Sequence, residues 1–295
     1  MASTKTEFQL FLESEVNKVK GIYYPVKAGF LRRLLIKKVS CRKLHPNPND
    51  EFCFPEIGPN YGIISQYEAD YRRFGTDFSN LSYTHGGIAE RIMIEKTRPE
   101  GYMILNGHHR WAAALRTGIP RLPVRIVDLT QESDIRKMLD TAGFDKRVTL
   151  DLDGVVFRPD SETALEKPLP FPVNRYFRER LRLGIPSLFF FLKEHGYDIW
   201  IYTSGYYSLE YLQHYFKQYR IHVTGIVTGT ARKAGPGVMK NLVKMTSEKY
   251  KSTIHIDNHT VLQTFTGSRD FRDYPLTGSD ATWSREIMDI IGALK

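Results

Sequence analysis

At 295 residues, with 41% hydrophobic and 25% charged side chains, the chain has length for about two domains, each able to bury its own core without cross-links. Cys41 and Cys53, its two cysteines, form neither a CxxC nor a metal-ligand spacing, which excludes a disulfide scaffold; with no leader pattern and no apolar run of membrane-spanning length, a cytoplasmic protein with no membrane partner is expected. The net charge of +9 is uneven, 23 Lys/Arg against 17 Asp/Glu in residues 1–147 and 19 against 16 in 148–295, a balance that suits phosphate-bearing partners without specifying one.

In chain order, apolar periodicity predicts a helix over FQLFLESEVNKV and a strand over LLIKKVSCRKL. A Pro/Asn/Gly-rich loop HPNPNDEFCFPEIGPNYG leads to a helix over IISQYEADYRRF. IMIEKTR reads as a strand, YMILNGHHRWAAALRTGI as a strand running into a helix, and LPVRIVDL as a further strand. These make an α+β domain over residues 1–145. Within it, residues 27–43 carry seven basic side chains, either a solvated face or a contact for phosphates. From RVTLDLDGVVF onward, strands and helices alternate: IPSLFFFLKEHG, DIWIYTSG, LEYLQHYFKQY, HVTGIVTG, GVMKNLVKMTSEKY, STIHIDN and WSREIMDIIGAL. That alternation predicts an α/β domain over 146–295, a parallel sheet with helices on both faces.

In open parallel sheets, chemistry gathers at the carboxyl ends of the strands. There this sequence places Asp151 and Asp153 on the first strand, Thr203 and Ser204 on the second and Asp257 on the fourth, with Lys233 or Lys240 between. Asp153-Gly154 is an ordinary turn pair, but a turn does not require Asp151. Carboxylates set close together repel unless a positive charge lies among them, and hard oxygen donors suit Mg²⁺. One aspartate can then attack a phosphoryl group while its neighbour handles the leaving-group proton. The ordered set DxDG, strand-end Thr, Lys and strand-end Asp resembles the haloacid dehalogenase (HAD) superfamily of phosphohydrolases. The resemblance implies Asp151 as nucleophile, Asp153 as general acid/base and Thr203 as phosphate-binding hydroxyl. Lys233 is then the phosphate partner, with Lys240 as its alternative, and Asp257 holds the metal together with Asp151 and the Asp153 carbonyl. Asn258 stands where the family usually carries a second acid, and Asp270 and Asp273 lie further along. The interval between Asp153 and Thr203 is Pro-rich and too poorly periodic for a large helical cap. Tyr206, Tyr207 and Tyr211 line the mouth of such a site or simply pack.

In the first half, Asn106-Gly107-His108-His109-Arg110 ends a strand and opens a helix, where exposed N–H groups and positive charge suit phosphate. Alternatively one histidine caps the helix and the other packs; a shared metal is disfavoured because adjacent helical side chains diverge. With CRKLHPNPNDEF, this stretch resembles the ParB/sulfiredoxin fold, in wording nearest its free-serine kinase branch. That branch implies phosphate binding by residues 106–110, ADP or ATP as cofactor, and a loop base at Glu51 or Glu56. His45 caps the loop in the simpler reading, and Asn106 replaces the branch's aspartate. The function expected is a HAD-type phosphatase acting on a phosphorylated small molecule, coupled to a nucleotide-binding domain with kinase chemistry. The alternative is a nucleic-acid-binding ParB-like regulator whose HAD site is degenerate.

Overall fold

In the N-terminal unit, built on Met1–Asp128, the first helix starts where the sequence supplies a reciprocal cap. Thr6 Oγ1 accepts the Gln9 N–H, and the Gln9 side chain accepts the Thr6 N–H. From this cap α1 (Glu7–Val19) runs on, burying Leu12 and Val19. The computed structural model describes residues 6–76, 91–157, 164–231 and 238–294. After α1 come β1 (Tyr24–Pro25), α2 (Phe30–Leu35), β2 (Lys38–Ser40), β3 (Leu44–His45), α3 (Tyr61–Phe74), β4 (Ile92–Arg98), β5 (Tyr102–Asn106), α4 (His108–Arg116) and β6 (Arg121–Ile126). The sheet order is β2-β6-β4-β5-β3, with β1 paired to β4. β4 and β5 are antiparallel, while β4 with β6 and β3 with β5 are parallel. Ile92, Ile94 and Ile104 close the core with Trp111 and Ala112–Ala114 of α4, and the Trp111 indole N–H donates to the Cys41 carbonyl at 3.2 Å.

The strand expected over residues 34–44 is a correction. Leu34, Leu35 and Ile36 do not alternate, and Phe30–Leu35 is helical; only Lys38–Ser40 and Leu44–His45 extend, separated by a 3-10 turn at Cys41–Lys43. The cause is long-range. Asp128 accepts the Ala28 N–H at 2.7 Å and the Gly29 N–H at 3.0 Å and pairs with Arg33, which fixes the chain where the helix begins.

The second unit comprises Leu129–Ala231 and Pro236–Lys295. It holds α5 (Glu132–Asp140), β7 (Lys146–Asp151), α6 (Ile185–Glu194), β8 (Asp198–Thr203), α7 (Leu209–Gln218), β9 (Gly225–Thr228), α8 (Val238–Lys249), β10 (Ser252–Ile256), β11 (Thr260–Phe265), β12 (Phe271–Pro275) and α9 (Trp283–Ala293). Strands run in the order β12-β11-β10-β7-β8-β9. The four from β10 to β9 are parallel, as their apolar sequences Val148-Leu150 and Ile199-Trp200-Ile201 require of strands buried on both faces. β11 and β12 add antiparallel, so the sheet is mixed rather than wholly parallel. The units part between Asp128 and Leu129, not at 145/146, because Ile135, Met138 and Ala142 of the α5 region belong to the second core. Among the described residues between Phe157 and Ile185 there is one 3-10 turn, Val173–Arg175, and no α-helix.

Gly225 lies opposite Trp200 on the neighbouring strand, and a Cβ there would overlap the indole. That ring cannot yield easily: it is fully buried, its N–H donates to Tyr250 Oη at 2.7 Å, and the Tyr250 hydroxyl donates to Asp198 at 3.1 Å. Gly225→Ala should therefore destabilise the second unit by about 1–3 kcal/mol, read as a lowered urea midpoint with unchanged slope.

Candidate functional site

In the second unit, the site is built where β7, β8 and β10 end side by side. Asp151 is the last residue of β7, in register with Tyr202 of β8. Past it the chain coils: the Val156 N–H donates to the Asp151 carbonyl at 3.2 Å, the Phe157 N–H to the Leu152 carbonyl at 2.8 Å, and the Gly154 N–H to the Phe157 carbonyl at 2.9 Å. Gly154 sits at φ +88° with open space around it, so the backbone conformation, not crowding, asks for glycine. This coil keeps Asp153 beside the strand end. The fully buried Thr203 donates its hydroxyl to Asp153 Oδ2 and accepts the Gly205 N–H at 2.9 Å. Thr203 thus orients Asp153, and Ser204 next to it is the exposed hydroxyl.

Asp257 follows β10 in a turn closed by its own N–H to the Thr260 carbonyl at 3.0 Å, and its Oδ1 accepts the Asn258 N–H at 2.6 Å. Partial burial, and then the charges of Asp153 and Asp257, push the Asp151 carboxyl above its usual range, while the backbone N–H groups of Asp153 and Leu152 hold it down. Asn258 Oδ1 accepts from Arg182 Nη1 at 2.9 Å. Arg182 is buried, pairs with Asp280 and lies 3.9 Å over the Trp283 ring. No local pattern in the sequence marks Arg182, Asp280 or Trp283 as neighbours of the site. Asp273 accepts the Thr260 hydroxyl and Asp270 accepts the Ser268 hydroxyl at 2.8 Å, so each has its own local partner. Lys233 lies outside the described residues; Lys240 is placed on α8. Tyr211 donates to Glu179 and stacks with Tyr207 at 6.3 Å, which is packing.

In the N-terminal unit, Gly107 adopts φ +106° between β5 and α4, and a Cβ there would press on Arg110 and Ile92. His108 and His109 point into the preceding loop. His108 Nε2 accepts the Asn47 N–H at 3.2 Å, and its Nδ1 lies 3.9 Å from Asp50. His109 Nε2 accepts the Asn60 N–H at 3.1 Å. Phe52 fills the space between, stacked on His108 at 5.4 Å and edge-on to His109 at 5.0 Å. In this arrangement the two histidines hold residues 47–60 against α4, and neither Nε2 is available as a phosphate donor. Arg110 is buried and Asn106 is exposed, with Arg110 Nη2 3.4 Å from Asn106 Oδ1. Glu51 and Glu56 are exposed on the loop, Glu51 beginning the 3-10 turn Glu51–Cys53. His45 does not cap the loop: it is buried with neither ring nitrogen hydrogen-bonded, its ring 4.8 Å from that of Tyr23. Sequence reading missed Asn47 and Asn60 because they act through backbone N–H groups, which leave no side-chain signature. Among the described residues no group of three or more His, Cys, Asp or Glu side chains is arranged as a metal cage.

Residues 80–141 match the family model of the ParB N-terminal domain, about a fifth of the chain, including β4, β5, the Gly107 turn, α4, β6 and α5. The match ends before β7. Among solved structures, the chain is similar to the C-terminally truncated chromosome-partitioning protein ParB from Caulobacter crescentus complexed to the centromeric parS site, with 16% identity and a TM-score of 0.23. That likeness covers 36% of this chain and 46% of the other, so the chain spans less than half of its length. No curated protein matches the chain. No described helix is long and apolar enough to cross a membrane.

Burial lowers the affinity of His109 for a proton, with the charge of Asp50 partly offsetting it. Unfolded, the ring returns to its ordinary value near 6.5, so the unfolded chain binds the proton more readily. The contribution to stability is therefore complete above that value and is lost as pH falls through it. Wild-type stability in urea should decline from pH 7 to pH 5, and His109→Gln, which keeps an acceptor for the Asn60 N–H but does not titrate, should decline less steeply.

Proposed function

We propose that the chain joins a ParB-like phosphate-recognising unit to a Mg²⁺-dependent phosphohydrolase unit acting on phosphate esters. The observation that carries this reading is the convergence of Asp151, Asp153 and Asp257 with the buried Thr203 hydroxyl at adjacent parallel strand ends. The donor set fits Mg²⁺: these are oxygen donors, and the charges of Asp153 and Asp257 add to burial in raising the Asp151 carboxyl, which a cation there would offset. Asp151 and Asp257, with the Asp153 carbonyl, would hold the ion, which when bound supplies the charge that keeps these groups ionised and neutralises phosphate oxygens.

In this reading an Asp151 oxygen attacks phosphorus, the P–O bond to the alcohol breaks, and Asp153 gives the departing oxygen its proton. Asp153 then takes a proton from water, which attacks the phosphoryl group and releases inorganic phosphate and the Asp151 carboxylate. Thr203 keeps Asp153 aimed for both transfers. The exposed Ser204 meets the phosphate oxygens, and the family resemblance would give Lys233 or Lys240 the same task.

A second reading concerns the first unit. The match of residues 80–141 to the ParB N-terminal domain favours nucleic acid over a small-molecule kinase, and the basic excess of the first half agrees with a phosphate-rich partner. On the kinase reading, the Gly107 turn takes ADP or ATP and Glu51 is the base. On the nucleic-acid reading, the second unit is degenerate, Asn258 standing for an acid.

Phosphate release from a panel of phosphoserine, sugar phosphates and nucleotides, measured with and without Mg²⁺, tests the main reading. Release should require Mg²⁺, vanish in Asp151→Asn and fall by roughly 10²–10⁴-fold in Asp153→Asn. No release from any compound, combined with duplex binding whose affinity drops steeply with salt, would replace it with the nucleic-acid reading.

A further inference from the structure

Helix α2 is amphipathic the wrong way round for a helix that packs on a core. A surface helix ordinarily turns its apolar stripe inward and its charges outward. Here Phe30, Leu31, Leu34 and Leu35 fall on one face at helical spacing and are all exposed, Leu31 at 68% and Leu35 at 73%, and no residue of the helix is buried. The inward position goes to Arg33, whose guanidinium pairs with the buried Asp128. The orientation is fixed at both ends. Asp128 accepts the N–H groups of Ala28 and Gly29 before the helix, and after it Lys37 accepts the Val124 N–H while β2 pairs with β6. The four apolar side chains are therefore held outward by the fold.

The segment that carries this face has charges of one sign, and the acid paired with it, Asp128, is buried. No Asp or Glu occurs between Glu15 and Asp50, and Arg32, Lys37 and Lys38 are exposed beside the apolar residues. A second copy set symmetrically on the patch would bring these cations against one another. Nucleic acid would answer the cations but leave three leucines and a phenylalanine against phosphates. A surface that is anionic at its rim and apolar just beneath satisfies both groups at once.

We propose that α2 is a membrane-surface anchor: Phe30, Leu31, Leu34 and Leu35 insert shallowly into an anionic bilayer while Arg32, Lys37 and Lys38 meet the lipid phosphates. The helix lies in the interface and does not span it, so the length and hydropathy that a membrane-crossing helix needs do not apply to it, nor does the leader pattern or long apolar run that sequence reading looks for.

The test is sedimentation of the full chain with vesicles of phosphatidylcholine alone and of phosphatidylcholine mixed with phosphatidylserine. Wild type should bind the mixed vesicles on the order of a hundredfold more tightly than the neutral ones, with the difference shrinking at high salt. Leu31→Glu with Leu35→Glu should abolish binding, and thermal melting should show that it stays folded, since both side chains are exposed. If the glutamates do unfold the protein, Leu31→Ser with Leu35→Ser decides, and it should weaken vesicle binding at least about tenfold. No binding by wild type, or binding that the leucine variants leave intact, overturns the proposal. It is equally overturned if wild type ignores vesicles and is instead a dimer, or binds DNA, in a manner the leucine variants abolish.

Discussion

Like-charge crowding at the strand ends of the second unit is the constraint on which its site depends. Parallel pairing of β10, β7 and β8 brings Asp151 and Asp257 to the same edge, and the coil after β7 adds Asp153. Burial first, and then the charges of Asp153 and Asp257, push the Asp151 carboxyl above its usual range. The surrounding hydrogen bonds each answer part of this repulsion. Backbone N–H groups point at Asp151, the Thr203 hydroxyl donates to Asp153, and the Asn258 N–H donates to Asp257. All are donors from neutral groups, which soften the charge without cancelling it.

Much of the second unit was legible because its determinants are local. Apolar β-branched runs announce buried parallel strands, and acids at their ends announce a site. Strands β11 and β12 went unassigned because an edge hairpin is half-exposed, and its alternation, with Val261 and Gln263 inward, is a weaker signal than a continuous apolar run. The helix α5 was lost at the domain boundary because its buried residues Ile135 and Met138 face a core whose strands begin later in the chain. In the first unit, the strand expected from residue 34 takes in the last two residues of α2, and the helix itself is not foreseen, because Asp128, about a hundred residues away, holds Ala28 and Gly29 where no window of local sequence shows it.

The turn at residues 106–110 was legible as a motif but not in its working parts. The sequence offers His108 and His109 either as part of a phosphate cradle at a helix N-terminus or as one capping and one packing side chain. In the folded unit each ring accepts a backbone N–H, which fixes it neutral at that nitrogen and turns it into a clasp for the loop. Arg110, in the first turn of the same helix, is buried as well. The clasp also explains the burial of Phe52: its ring is the surface on which the two imidazoles rest.

Asn258 follows from the same charge balance. An aspartate at that position would set a fourth carboxylate beside Asp257, and Arg182, which bonds Asn258, is already paired with Asp280 and held over Trp283. An amide accepts from Arg182 without adding charge, and its own backbone N–H still reaches Asp257. The buried guanidinium thereby orients the Asp257 turn through a neutral link. A charge-paired Arg182 is costly to bury and gains little for stability by itself. Its placement is better explained by the geometry it imposes on the strand end, where the site needs rigidity more than it needs another acid.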